Sequence, residues 1–383
     1  MLIEILSLLP AIGGSVYGLL CAAAVVVFRR KKAWPVPPTL PAVSILKPIY
    51  GLEKNLAENL RTACLLDYPH YQVVFSAQRL DEPALPIMRA LADEFGHDRV
   101  TVAVAPSEPV MNGKIQNLEI GLAQARHDTL VISDSDVRLR PDYLRAIVAP
   151  LAEPTVGYVC TLYRAVCAER WYERLELLSL DADFTANLIF AEVTGASSFC
   201  LGASTALRRQ TLDFIGGLAP LGAFLAEDYE MGRRIRDKGL RAVVLPYFVD
   251  TMVDLKNFRQ WWDHQVYWDQ NTQSVNPVGF FATVITRAIP FAILFAALRM
   301  FDPLGLSVLA LVVGVRLITA AIVLKLVLND REGIRALWLL PLRDVLGLGS
   351  WFFALTKRNF VWRGHRFGLL EKGRIDPARH PNS

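Results

Sequence analysis

The chain has 383 residues, 53% of them apolar and only 20% charged, with a mean hydropathy of +0.30 and a formal net charge of +4. That balance excludes a disordered or collagen-like chain and sets the protein apart from an ordinary soluble enzyme. The small basic excess gathers beside apolar runs, which points to anionic lipid headgroups and not to nucleic acid.

Residues Ile5 to Phe28 form an uncharged run of 24 residues, followed at once by Arg29, Arg30, Lys31 and Lys32. At about 1.5 Å per residue such a run crosses a hydrocarbon core of about 30 Å. A signal peptide carries its basic residues before the apolar run, so residues 1–32 are expected to be a transmembrane anchor, with the chain after Lys32 on the cytoplasmic side. A proline-rich linker, 33–42, follows.

Residues 43–271 alternate between β-type runs and helical spacing. Strands are expected at 43–49, 71–78, 100–105 and 128–136, with helices at 52–64, 84–95 and 114–125 between them. This alternation predicts an α/β fold with a mostly parallel, doubly wound sheet, whose ligands sit beyond the carboxyl ends of the strands. The rest is less regular: a strand at 156–163, a long helix at 170–189, a strand or hairpin at 198–207, a helix at 226–239 and a strand at 241–252. No GxGxxG or GxxxxGK motif occurs, which argues against dinucleotide and P-loop sites.

Acids punctuate this domain. Asp134-Ser135-Asp136 closes a hydrophobic strand, where both carboxylates can reach one Mg²⁺ or Mn²⁺, although short acidic turns are also common. Glu227-Asp228 opens a helix, as ordinary caps do, but a carboxylate held at such a junction can also serve as a general base. Asp81-Glu82 suits either a nucleotide edge or a helix cap, and Lys114 opens a helix where a cation can meet a diphosphate. In residues 256–271 tryptophans suited to a membrane interface accompany the polar pair His264-Gln265.

From Pro277 the chain is apolar again, at 277–298, 305–327 and 335–356. Arg287, Arg316 and Arg343-Asp344 fall near the middle of these stretches, so each must be paired or turned to a protein interior. The tail, 357–383, has seven basic and two acidic residues, a net charge of +5. With the catalytic domain cytoplasmic, a cytoplasmic tail requires two of these three segments to cross, and 277–298, with Arg287 and Pro290, is the segment expected not to cross. Five cysteines without a CxxC pair suit a reducing compartment.

Together these motifs resemble the ceramide glucosyltransferase family, membrane-anchored glycosyltransferases of the family 2/21 type with the A-type nucleotide-sugar fold, and the related hopanoid-biosynthesis glycosyltransferases. The resemblance runs from about Val43 to Asn271. It rests on VSILKPIYG, QRLDEPA around Asp81, Asn112-Gly113-Lys114 with Asn117-Leu118, Asp134-Ser135-Asp136, Val193-Thr194-Gly195 with Gly202, and AEDY around Asp228. Where the family reads Q/R-x-x-R-W, this chain has His264-Gln265-Val266-Tyr267-Trp268, which keeps the tryptophan and replaces both basic positions.

The resemblance implies catalytic roles for Asp228, His264 and Trp268, donor binding by Asp81, Lys114, Asp134 and Gln265, and a metal on Asp134 and Asp136. It implies a UDP-sugar donor with Mg²⁺ or Mn²⁺ and a membrane-lipid acceptor, the first choice being glucose onto ceramide. N-acetylglucosamine or another sugar onto a hopanoid polyol is the alternative, and a processive polysaccharide synthase a more distant one. The expected organisation is anchor 1–32, linker 33–42, cytoplasmic catalytic domain 43–271, membrane helices 272–356 and basic cytoplasmic tail 357–383. The expected location is an inner membrane of bacterial type or its equivalent.

Overall fold

The computed structural model describes residues 2–106, 112–196, 200–356, 359–362 and 365–376. The chain packs as two compact units: Lys32–Tyr163 with Ser198–Met252, and Met1–Lys31 with Arg164–Ser197 and Val253–Pro381.

The first unit is built on an eight-stranded sheet. Its strands are β1 (Val43–Pro48), β2 (Tyr71–Ala77), β3 (Val100–Val104), β4 (Thr129–Ser133), β5 (Val137–Arg138), β6 (Val156–Val166), β7 (Ser204–Arg208) and β8 (Arg241–Met252), in the order β3-β2-β1-β4-β7-β6-β8-β5. β3, β2, β1 and β4 run parallel, joined by the helices Leu56–Cys64, Leu85–Phe95 and Gly113–Ala123. Every residue of β1, β2 and β4 is buried, the pattern of strands covered on both faces. The alternation of strand and helix stops after β4. β7 pairs antiparallel with β4 and β6 antiparallel with β7, so this half does not continue the double winding.

Strand order reverses around β1, which lies between β2 and β4. That reversal opens a crevice at the carboxyl ends of β1 and β4, where open α/β sheets bind ligands. The Asp134-Ser135-Asp136 turn sits at this edge.

The second unit is helical. Leu2–Arg29, Pro303–Leu328 and Arg331–Thr356 are each long and apolar enough to cross a membrane. Pro277–Thr286 and Ala288–Leu298 are bent by 53° at Arg287, so together they form a broken span or a re-entrant loop. Pro290 explains the break, because its ring clashes with the carbonyl of Thr286 four residues earlier. Gly14 meets this bend directly: a Cβ there would lie 2.2 Å from the Ile285 carbonyl oxygen, so only glycine permits the approach.

The helix expected at 170–189 runs as Trp171–Leu177, a wider π-type segment Leu178–Phe184, and Thr185–Thr194. It packs on the N-terminal helix, through Tyr17 Oη donating to Asn187 (2.8 Å) and the Lys31–Glu192 ion pair (2.6 Å).

Each mid-segment arginine finds an acid in this unit. Arg287 pairs with Asp269 (3.0 Å), and Arg316 with Asp344 (2.9 Å) and Asp183. Arg343 donates to Ser179 (3.0 Å) and meets Asp183 and Asp344. The π-type segment supplies Asp183, and wide turns of this kind often carry such special side chains. The strands Asn359–Trp362 and His365–Leu369 pair antiparallel, while Lys357, Arg358, Arg363 and Arg379 of the basic tail, and Ser198, lie outside the described residues.

Asp344 is fully buried between Arg316 and Arg343. Asp344→Leu leaves both arginines short of a counter-ion and is expected to cost about 3–5 kcal/mol. The thermal unfolding midpoint of the full chain in detergent should fall by several degrees; an unchanged midpoint would contradict the pairing.

Candidate active site

The acidic turn is fastened from below by a lysine. Lys47, next to last in the apolar β1, is fully buried and donates to the carbonyls of Asp134 (2.8 Å) and Val137 (3.0 Å). Burial pushes its amino group down to about 8, against the pull of Asp136 and Asp134. The Asp134 N–H donates to Ala203 on the β7 side (3.1 Å), and Ser135 Oγ donates to Glu53 (2.6 Å). These bonds hold the backbone of the turn and leave its carboxylates for other work.

Asp136 accepts from Thr251 (2.9 Å). Burial, with the charges of Asp134 and Glu53, pushes its carboxyl up to about 7. That crowding of carboxylates is a surplus of negative charge that a divalent cation relieves, and all-oxygen donors suit Mg²⁺ or Mn²⁺. Among the described residues no group of three or more His, Cys, Asp or Glu is arranged to hold a metal. A cation held by Asp134 and Asp136 would therefore draw its remaining oxygens from a ligand or water, as magnesium sites commonly do.

Asp134 faces a second cluster. Lys114 Nζ lies 2.8 Å from Asp134, 3.1 Å from Glu227 and 3.2 Å from the Gly202 carbonyl. Burial alone lowers the pKa of Lys114, but Asp134 and Glu227 outweigh it and hold the ammonium firmly charged. Asn112 sets this position: its side chain caps the helix Gly113–Ala123 by accepting from Lys114 N and Ile115 N, and donates to Glu227 (3.2 Å).

Asp228 stands at the start of the helix Glu227–Asp237 and accepts from its own neighbour Tyr229 N (2.7 Å) and from Gly202 N (2.9 Å). Burial, reinforced by the charge of Glu227, pushes its carboxyl up to about 7 despite Lys114 and these two N–H donors. Lys114, Gly202, Glu227 and Asp228 line a shallow, open crevice whose other wall is apolar, with Leu118, Ile132, Leu218, Leu221 and Met231. A carboxylate poised near neutrality, beside a cation and a pocket, is equipped to take a proton.

The other expected site residues lie elsewhere. Asp81 is exposed and paired bidentately with Arg79, while the adjacent Glu82 is buried and accepts from Gly51 N (2.7 Å) and Ala84 N (3.2 Å). His264, Gln265 and Trp268 belong to the helical unit, on the helix Phe258–Val275. There Gln265 donates to Glu176 (2.8 Å), His264 Nδ1 lies 2.9 Å from Glu176, and Trp268 Nε1 donates to His264 Nε2 (2.9 Å). Burial opposes a charge on His264, but the Glu176 carboxylate prevails and raises its pKa.

Two kinds of residue escaped the sequence reading. Lys47 had a signal, since a lysine inside an apolar strand is rarely buried without a task. Glu176 and Glu53 had none, because each is one acid in a segment where acids are ordinary.

The fold matches that of a mannosyltransferase from Pyrobaculum calidifontis solved with GDP-Man and Mn²⁺, with a TM-score of 0.56 over 92% of this chain and 99% of that one at 17% identity. The architecture is thus that of the A-type glycosyltransferases. The chain belongs to glycosyl transferase family 21, whose model matches residues 6–375. Similar proteins include ceramide glucosyltransferase 1 of Caenorhabditis elegans, 26% identical over 57% of this chain and 47% of that protein. Ceramide glucosyltransferase 3 of the same organism is 24% identical over 54% and 45%. The chain thus spans about half the length of these relatives.

Gly202 gives a direct test of the geometry. A Cβ at this position would lie 2.8 Å from Asp228 Oδ2 and 3.2 Å from Lys114 Nζ. Gly202→Ala should therefore displace Asp228 and suppress turnover while leaving the unfolding midpoint nearly unchanged. Wild-type turnover in this variant would contradict the Asp228–Gly202 contact.

Proposed function

We propose that the protein transfers glucose from UDP-glucose to the primary hydroxyl of ceramide at a membrane surface, with inversion at the anomeric carbon. The observation that carries this reading is Asp228, a carboxylate raised to about 7 and held by Gly202 and Tyr229 N–H groups at the rim of a partly apolar crevice. The likeness to ceramide glucosyltransferases supports the choice of acceptor and sugar.

In the proposed reaction Asp228 accepts the proton of the acceptor hydroxyl as its oxygen attacks C1 of the sugar. The C1–O bond to the diphosphate breaks with its electron pair, and UDP departs. One base and one means of stabilising the leaving group suffice for a single displacement, so no second carboxylate nucleophile is needed. Lys114 lies beside Asp134 and Glu227 and offers its ammonium to the diphosphate. A Mg²⁺ or Mn²⁺ held by Asp134 and Asp136 supplies, when bound, further neutralisation of the leaving group. Asp81, Glu82 and the Gly51 backbone form the edge assigned to the nucleoside. His264, Gln265 and Trp268 keep the donor-binding and catalytic roles that the family resemblance implies, with Glu176 raising the proton affinity of His264 within the helical unit.

The apolar helices Leu2–Arg29, Pro303–Leu328 and Arg331–Thr356 suit an enzyme whose acceptor lives in a bilayer. Arg29, Arg30, Lys31 and Lys32 support a cytoplasmic catalytic unit by the positive-inside rule.

Asp228→Asn should lower transfer by about 10²–10⁴-fold, the usual worth of a general base, while leaving UDP affinity largely intact. Equal loss of both would remove the base assignment. Because the raised carboxyl must be ionised to act, transfer by the wild type should decline as pH falls through about 7. A rate constant flat from pH 8 to pH 5 would contradict it.

Donor and acceptor are tested by incubating the purified chain with separate UDP-sugars and either ceramide or a hopanoid polyol, with products weighed by mass spectrometry. Glucosylceramide is the expected product. A hopanoid product without any from ceramide would replace the acceptor assignment.

A further inference from the structure

The cluster around Lys114 has a property beyond binding a phosphate. An ammonium has three N–H donors, and Lys114 has three oxygen partners within 3.2 Å: Asp134, Glu227 and the Gly202 carbonyl. A diphosphate that draws the ammonium to itself must compete with these three oxygens. Gly202 packs closely, since even a Cβ there would stand 3.2 Å from the amino group, and Glu227 is tied to Asn112. Asp134 is the more exposed of the two carboxylates, at 29% against 14% for Glu227. It is also a residue assigned to the cation.

We propose that Lys114 is an internal counter-ion that keeps Asp134 closed to a divalent cation until the donor diphosphate draws the ammonium away. The inference rests on the donor reading above and concerns the order in which the same site fills. A cation approaching Asp134 without nucleotide meets a carboxylate already paired and a positive charge beside it. A diphosphate offers Lys114 new anionic oxygens, releases Asp134 and adds its own oxygens to the cation. Nucleotide and cation then each tighten the other by the same factor, as linkage requires. The arrangement keeps free metal from occupying the site unproductively and keeps the carboxylates compensated while the site is empty.

The test measures Mn²⁺ binding to the purified full chain in detergent by electron paramagnetic resonance, with no sugar donor present. Wild type should bind Mn²⁺ weakly alone and at least about tenfold more tightly with saturating UDP. Lys114→Met should bind Mn²⁺ at least about tenfold more tightly than wild type without UDP and gain less when UDP is added. Lys114→Arg, which keeps the charge, should behave as wild type. The expected change is a gain of binding, which a misfolded variant does not produce. Adding Asp134→Asn to Lys114→Met should abolish the gain.

Equal Mn²⁺ affinity of wild type and Lys114→Met without nucleotide would overturn the proposal, as would a gain that survives Asp134→Asn. Should calorimetry show no UDP binding to wild type, the donor reading fails, and the nucleotide-free comparison of wild type with Lys114→Met still decides the role of Lys114.

Discussion

A single ammonium shared among carboxylates organises the candidate active site of this protein. Two unit charges 4 Å apart at an effective dielectric near 20 interact by about 4 kcal/mol, and Lys114 stands within that range of both Asp134 and Glu227. It cannot also neutralise Asp228 and Asp136. Burial, reinforced by the charge of neighbouring carboxylates, lifts both carboxyls to about 7. Surplus acid is costly to the fold, and the same surplus suits the proposed base and the proposed cation site.

The sheet exists to hold that surplus in place. Reversal of strand order at β1 opens the crevice, and the fully buried Lys47 pins the acidic turn by its carbonyls, so the side chains of Asp134 and Asp136 are positioned without being consumed. Gly202 brings its N–H to Asp228 and its carbonyl to Lys114, tying the segment before β7 to both. The helical unit solves a parallel problem. Its arginines would be prohibitive in lipid, and each is answered by Asp269, Asp344 or Asp183.

Much of this was legible in the sequence, for physical reasons that can be named. Near-continuous apolar runs separated by helical spacing announced β1 to β4, and an uncharged run announced the helix Leu2–Arg29, long and apolar enough to cross a membrane. The acids at strand and helix ends singled out Asp134 and Asp228, which the fold gathers beside Lys114, and the arginines in apolar stretches announced that acids must meet them. The antiparallel half was not legible, because the segment before β7 has no local period that fixes strand direction. Nor was the packing of residues 164–197 with the N-terminal helix, which depends on contacts far apart in sequence such as Tyr17–Asn187. The partnership of Gln265 and His264 with Glu176 joins residues nearly ninety apart and leaves no trace in spacing.

The account stands on one base acting in one displacement at Asp228. The most direct measurement is the anomeric configuration of the glycolipid formed from an α-linked UDP-sugar, read from the proton coupling at C1 by nuclear magnetic resonance. A β-linked product is predicted. An α-linked product would require a second displacement and a second nucleophile, and would contradict the mechanism built on Asp228.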